Sequence, residues 1–248
     1  MADPRHTGDG RAALVTGAAS GIGAAITSRL RDDGWDVLGV DLRGDVDFHA
    51  DLTTRAGNRD AVAAAAERFG GLDAVVANAG FQHVAPIDEF AEDRWDAIIA
   101  VLLTSPFLLA HYAWPLLREA GAGRYVAIAS VHGLVASPFK AAYVSAKHGV
   151  LGLVKTLALE GAEHGISATA VCPGYVRTPL VESQIGDQAK AHGMSEDRVL
   201  EEVILAPHAV KRLIEPEEVA ATAAFLLGPD GRAFTGAPVV MDQGWTAR

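Results

Sequence analysis

Short apolar runs alternate with helix-patterned segments along this whole chain, and that alternation limits its folds more than any other feature. The runs cover residues 12–16, 37–40, 72–77, 124–129, 167–172 and 238–241, with a further short run just ahead of Asp51-Leu52. Each is only a few residues long and mostly apolar rather than apolar at every second residue, as strands buried on both faces are. Between them lie helix-patterned stretches at 24–32, 61–69, 88–120 and 217–227, and one that bears Tyr143 and Lys147 and continues to about Glu163. A strand that returns to its own sheet through a helix must run parallel, and the crossover is right-handed. The expectation is an α/β fold: a doubly wound parallel sheet of about seven strands with helices on both faces, in one domain over residues 1–248. Pro106 and Pro115 are expected to bend or split the 88–120 helix. Residues 180–212 mix charge with short apolar pieces and exceed what a connection needs, so they read as a lid over a pocket.

With 248 residues, half of them hydrophobic, the chain can bury a sizeable core. A formal charge of −10 argues against a general nucleic-acid or anionic-membrane surface, while leaving room for a locally basic pocket. Cys172 is the only cysteine, which fits a reducing compartment. The polar start and the lack of an uninterrupted apolar run near membrane-spanning length point to a cytoplasmic protein. No metal site is expected.

The first strand runs into G-A-A-S-G-I-G, with Gly17, Gly21 and Gly23, and then into a helix. Glycines let the backbone turn tightly beside a pyrophosphate, and the helix N-terminus offers it free N–H groups. Asp41 closes the second strand, where an acid can hold both ribose hydroxyls and repel a 2′-phosphate, favouring NAD over NADP. Arg43, two residues on, weakens that preference slightly. Asn78-Ala79-Gly80 ends another strand in small residues that permit close backbone approach. The stretch 130–147 carries a hydroxyl at Ser130, a phenol at Tyr143 and an ammonium at Lys147. Tyr143 and Lys147 stand four residues apart in an Ala-rich helix and so share a face. A nearby ammonium favours phenolate, which moves Tyr143 toward the range a general acid/base needs.

Taken together, T-G-A-A-S-G-I-G, Asp41, Asp51-Leu52, N-A-G, Ser130, Y-x-x-x-K and Pro173-Gly174 resemble the short-chain dehydrogenase/reductase family over almost the whole chain. The resemblance implies Ser130, Tyr143 and Lys147 as catalytic residues. It implies an NAD site formed by Gly17, Ser20, Gly21, Ile22, Gly23, Asp41, Asp51 and Leu52, together with Asn78, Ala79, Gly80, Tyr143, Lys147, Pro173, Gly174, Val176 and Thr178. The strings F-Q-H-V-A-P-I, S-V-H-G-L-V-A-S and C-P-G-Y-V-R-T-P-L-V-E-S-Q-I, with the ending G-W-T-A-R, further resemble the D-3-hydroxybutyrate dehydrogenases within that family. From this follows an expected site for a short 3-hydroxy acid at Gln82, His132, Lys140, Gln184 and Trp245, beside Ser130 and Tyr143. The expected reaction is interconversion of (R)-3-hydroxybutyrate and acetoacetate, a step of ketone-body metabolism. Analogy with the family also implies a homotetramer, with apolar helix faces at 100–117 and 148–159 as interfaces.

Two positions depart from the pattern. Leu102 stands where many family members have an Asn that marks a helix irregularity in a proton relay, so any relay here uses a main-chain carbonyl. Gln243 stands where the subgroup often has Gly. Rival readings are a relative acting on another hydroxy acid, an alcohol or a ketoacyl thioester, and a non-catalytic dinucleotide-binding regulator.

Overall fold

The computed structural model describes residues 10–247; the polar start falls almost wholly in residues 1–9, which lie outside the described residues, as does Arg248. In chain order the first half holds β1 (Ala12–Thr16), α1 (Gly21–Asp32), β2 (Asp36–Asp41), β3 (Phe48–His49), α2 (Arg55–Phe69), β4 (Ala74–Ala77) and α3 (Glu92–Ile99). The second half holds α4 (Ser105–Glu119), β5 (Arg124–Ile128), α5 (Ala141–Gly161), β6 (Ser167–Pro173), α6 (Pro179–His192), α7 (Glu196–Val199), α8 (Pro216–Leu227) and β7 (Pro238–Met241). All seven strands join one parallel sheet in the order β3-β2-β1-β4-β5-β6-β7, as expected. The winding reverses between β1 and β4, whose register sets Val15 beside Val76. At such a switch point the loops leaving the two strands part and open a crevice.

Strand side chains alternate between two cores. Leu14, Val75 and Tyr125 pack with Val62 of α2, Leu109 and Ala113 of α4, and Val154 and Leu157 of α5. Val15, Val37 and Val126, from the other face, pack with Ile26 and Leu30 of α1 and Val219 and Ala223 of α8. Each of these large side chains contributes about 1.5–3 kcal/mol by leaving water. Neither face of the sheet is left to solvent, which is why its strands read as unbroken apolar runs.

The helical run Glu92–Glu119 has the length and mean hydropathy of a membrane span, 28 residues at 1.7. Half of it is buried inside the fold, with Leu108, Leu109, Ala113 and Leu117 almost wholly covered, so its hydropathy is that of a core helix. Neither proline splits it. The break from α geometry is a π-helical segment at Ala100–Thr104, just ahead of Pro106, and Pro115 sits inside α4. The irregularity expected around Leu102 is therefore present without the Asn.

Residues 180–212 are more regular than expected. Thr178 caps α6 by accepting from the Val181 N–H at 3.4 Å, Pro179 follows at the first turn, and Gly193 at φ +61° ends the helix. Val181, Ile185, Val199, Ile204, Leu205 and Leu213 form a small core of their own beneath it. The helix bearing Tyr143 ends at Gly161 and passes into a 3₁₀ turn at Ala162–His164.

Candidate active site

A cleft of about 320 Å³ opens at the switch point, along the carboxyl ends of β1, β4, β5 and β6. One end is made largely of backbone. Gly17 has φ +69°, and a Cβ there would lie 2.6 Å from Asn78 Nδ2 and 2.9 Å from Ala79 Cα. A Cβ on Gly23 would meet the Gly17 carbonyl oxygen at 2.0 Å, so only glycine lets α1 start this close to the loop. Thr16 Oγ1 accepts from the N–H groups of Asn78 (3.0 Å) and Ala79 (3.1 Å), and Asn78 Nδ2 donates to the Thr16 carbonyl at 2.9 Å. These bonds tie the two parting loops together. Ser20 precedes α1 in extended conformation and its hydroxyl caps nothing, leaving first-turn N–H groups toward the cleft. Asp41 accepts from the Ala19 N–H at 3.1 Å, and so its carboxylate sits at the rim beside the glycine loop.

Fourteen of the expected cofactor residues line this cleft: Gly17, Ser20, Gly21, Ile22, Asp41, Asn78, Ala79, Gly80, Tyr143, Lys147, Pro173, Gly174, Val176 and Thr178. Gly23, Asp51 and Leu52 do not line it. Gly23 acts through packing, Asp51 accepts from the Thr53 N–H and hydroxyl, and Leu52 is buried in the core. The glycine cradle and the uncapped helix start fit the diphosphate of a nicotinamide dinucleotide.

Ser130, Tyr143 and Lys147 meet at the floor. Ser130 follows β5; its hydroxyl accepts from the His132 N–H at 3.1 Å and lies near enough to the Tyr143 phenol to act on it. Lys147 is buried, donates to the Ile128 carbonyl at 2.7 Å, and stands 5.6 Å from the Tyr143 ring centre. Burial lowers the Lys147 pKa to about 8. Burial raises the Tyr143 phenol above its ordinary value, and only the Ser130 hydroxyl works against the rise. The expectation that Lys147 brings the phenol down is therefore not met by this geometry. Leu102 lies over Gly80, where an added Cβ would be 2.4 Å from Leu102 Cδ2, and packs with Ile98, Ala142 and Ala146.

Beside the floor lies a second, tighter pocket of about 60 Å³. All seven expected substrate residues line it: Gln82, Ser130, His132, Lys140, Tyr143, Gln184 and Trp245. They come from five separate places, after β4, after β5, at the start of α5, in α6 and after β7. Gln184 Nε2 donates to Gln82 Oε1 at 2.9 Å, while the buried Gln82 Nε2 has no partner. Lys140 is only 7% exposed, and its ammonium donates to the Tyr175 hydroxyl at 3.2 Å. Among the described residues no carboxylate pairs with it, and burial lowers its pKa to about 8. His132 is lowered to about 4 by burial first and then by the Lys140 charge, so its ring is neutral, with Nε2 2.9 Å from Ser137 Oγ.

Tyr175 is the wall residue that sequence reasoning missed, although it stands directly after Pro173-Gly174. It stacks on Trp245 with ring centres 5.6 Å apart, and burial pushes its phenol up to about 12, so it stays protonated. Leu180 and Val181 complete the wall. Two unusual backbone turns set the pocket's shape. Phe139 has φ +67°, a conformation bulky residues rarely hold, with its carbonyl bonded by the Ala85 N–H at 3.0 Å; Lys140 follows it directly. Gln243 has φ +56°, which accounts for the glycine common at that place, and its carbonyl accepts from Ala209 and Val210. Asp242 then bonds the N–H groups of Gly244 and Thr246, fixing Trp245 between them.

Comparison with known proteins agrees with this geometry. A family model described as enoyl-(acyl carrier protein) reductase matches residues 17–246. A D-beta-hydroxybutyrate dehydrogenase of Rhizobium meliloti is 44% identical, over 96% of this chain and 99% of the relative. One from Cupriavidus necator is 40% identical, over 97% and 99%. The ligand-free aldohexose dehydrogenase of Thermoplasma acidophilum superposes with a TM-score of 0.89 at 28% identity, covering 96% of this chain and 95% of that one. The chain belongs to the short-chain dehydrogenase/reductase family, whose members are nicotinamide-dependent oxidoreductases.

Proposed function

We propose that the protein is an NAD-dependent 3-hydroxybutyrate dehydrogenase interconverting (R)-3-hydroxybutyrate and acetoacetate. One observation carries the substrate: a buried Lys140 ammonium without a carboxylate and an orphaned Gln82 amide line the same small pocket as Ser130 and Tyr143. A buried charge without a counter-charge and a buried donor without an acceptor are costly, and a substrate carboxylate relieves both. The pocket's volume suits a short acid rather than a thioester or a sugar. The names and high identity of the two dehydrogenase relatives support the same reading.

The remaining residues act on the proton and on placement. Lys140, Gln82 and Gln184 hold the carboxylate, and neutral His132 and Trp245 close the pocket around the carbon chain. Ser130 donates to the oxygen on carbon 3, and Tyr143 takes that oxygen's proton during oxidation or returns one during reduction. The adjoining cleft would hold a nicotinamide cofactor, which would supply the hydride chemistry. Lys147 would hold the nicotinamide ribose, its ammonium being fixed at the cleft floor by the Ile128 carbonyl. Asp41 holds the adenosine ribose and favours NAD. The α6–α7 region is the substrate lid, with Gln184 as its sensor. The enzyme is taken to be cytoplasmic and homotetrameric, the latter supported by exposed Phe107 and Leu159 on the faces of α4 and α5.

Initial rates of NADH formation from (R)-3-hydroxybutyrate, with the (S) enantiomer and NADP as controls, test the reading. Strong preference for the (R) acid with NAD is the expected result. Equal rates with both enantiomers, or turnover of neutral alcohols alone, would overturn it.

A further inference from the structure

We propose a second anion site at the opposite end of the sheet, where Arg11, Arg124 and Arg232 converge beside Trp35 to take a phosphate-class anion such as pyrophosphate. All strands are parallel, so the residues that start them share one edge, remote from the cleft by the length of a strand, roughly 16 Å for five residues. Arg11 immediately precedes β1, Arg124 opens β5, and Arg232 lies in the 3₁₀ turn after α8. The three line a cavity of about 470 Å³.

Arg124 is the centre of the site. It is 5% exposed, yet its guanidinium is not fully used. Its Nη1 donates to the carbonyls of Ala122 (2.6 Å) and Gly123 (3.0 Å), while its buried Nε has no hydrogen-bond partner. After burial, the charges felt most by Arg124 are those of Arg232 and Arg11, both of its own sign. Arg11 also lines the cavity, with its guanidinium carbon 3.9 Å from the Trp35 ring centre and its Nη1 donating to the Leu227 carbonyl at 3.3 Å. Two acids act on Arg11, Asp73 and Asp33, and Asp73 also accepts from the Ala12 N–H at 2.7 Å. Asp33 is paired with Arg29 at 2.8 Å, so three guanidiniums share the cavity wall with one carboxylate, Asp73, and the buried Nε of Arg124 meets no protein acceptor. Guanidinium forks match phosphate oxygens two at a time, as a single ammonium does not.

Calorimetric titration of the full chain with sodium pyrophosphate tests this, at fixed ionic strength and with saturating NAD so that the catalytic cleft is not counted. The expected result is one saturable binding event, weakened at least tenfold by Arg232→Gln and unaffected by Arg59→Gln on the exposed face of α2. Arg232 is itself exposed, so its substitution leaves the core and NAD-dependent turnover unchanged. Absence of saturable binding, or equal binding by Arg232→Gln, would overturn the proposal.

Discussion

The two halves of the active site are built by different means. The cofactor cleft is mostly backbone, with a glycine at φ +69°, a helix start whose N–H groups lack a cap, and Thr16 bonding the next loop. Its polar groups are satisfied or face open space. The proposed acid pocket is mostly side chains brought from five places in the chain; its buried Lys140 has no counter-charge and its Gln82 Nε2 has no acceptor. Backbone cradles tolerate whatever dinucleotide carries a diphosphate. A side-chain pocket with an unpaired charge selects one ligand chemistry and costs stability until that ligand arrives.

Breaking the junction of the two halves has the largest effect. Tyr143→Phe keeps the ring and loses the proton carrier, so kcat should fall by about 10³-fold or more while NAD binding, followed by fluorescence titration, stays near wild type. Next is Lys140→Met, which removes the charge and keeps the bulk. On the proposed reading kcat/KM for the acid falls by about 10²-fold or more, while KM for NAD moves less than about twofold. The same variant should be more stable, by on the order of 2–3 kcal/mol in denaturant melts, because the buried ammonium is disfavoured. A Lys140→Met protein that is less stable and loses both affinities equally would erase the contrast between the halves.

A pH series separates the halves without mutation. Lys140 is held at about 8 when folded, below its ordinary value of 10.5. The unfolded chain therefore keeps its proton above pH 8 after the folded one has lost it, and stability should rise from pH 8 toward 10.5. Substrate affinity runs the other way, with KM for the acid rising up to about tenfold per pH unit above pH 8 as the ammonium is lost. Lys147 is also lowered to about 8, so kcat carries its own pH dependence. In Lys140→Met the trend in KM should vanish and that in kcat should remain. The smallest expected effect is at the cleft's rim. Asp41→Ser should reduce the preference for NAD over NADP by about 10- to 100-fold with little change toward the acid, read from paired kinetics.

The same contrast governs what could be read from residues alone. The glycine loop, Asp41 and N-A-G each lie within one strand-loop unit, so local spacing exposes them. The two-faced burial of the strands was equally plain in their apolar runs. Lys140 is different: the stretch S-P-F-K has the look of an exposed turn, and its burial depends on Phe139 at φ +67° and on Tyr175, 35 residues later. Residue spacing alone gives no hint of that, and only the family resemblance pointed to it. The α6 helix carried readable signals in Thr178, Pro179 and Gly193, but its weak apolar face hid them. Lys147 next to Tyr143 suggested a lowered phenol, whereas burial of the phenol, invisible in the sequence, outweighs it.

The central claim is that an unpaired buried charge selects a carboxylate. It is tested most directly by the ratio of kcat/KM for (R)-3-hydroxybutyrate to that for (R)-butan-2-ol, the same secondary alcohol without the acid, at pH 7 with saturating NAD. The account predicts a ratio of about 10³ or more, falling by at least tenfold in Lys140→Met. A ratio within about tenfold of unity in the wild-type protein would contradict it.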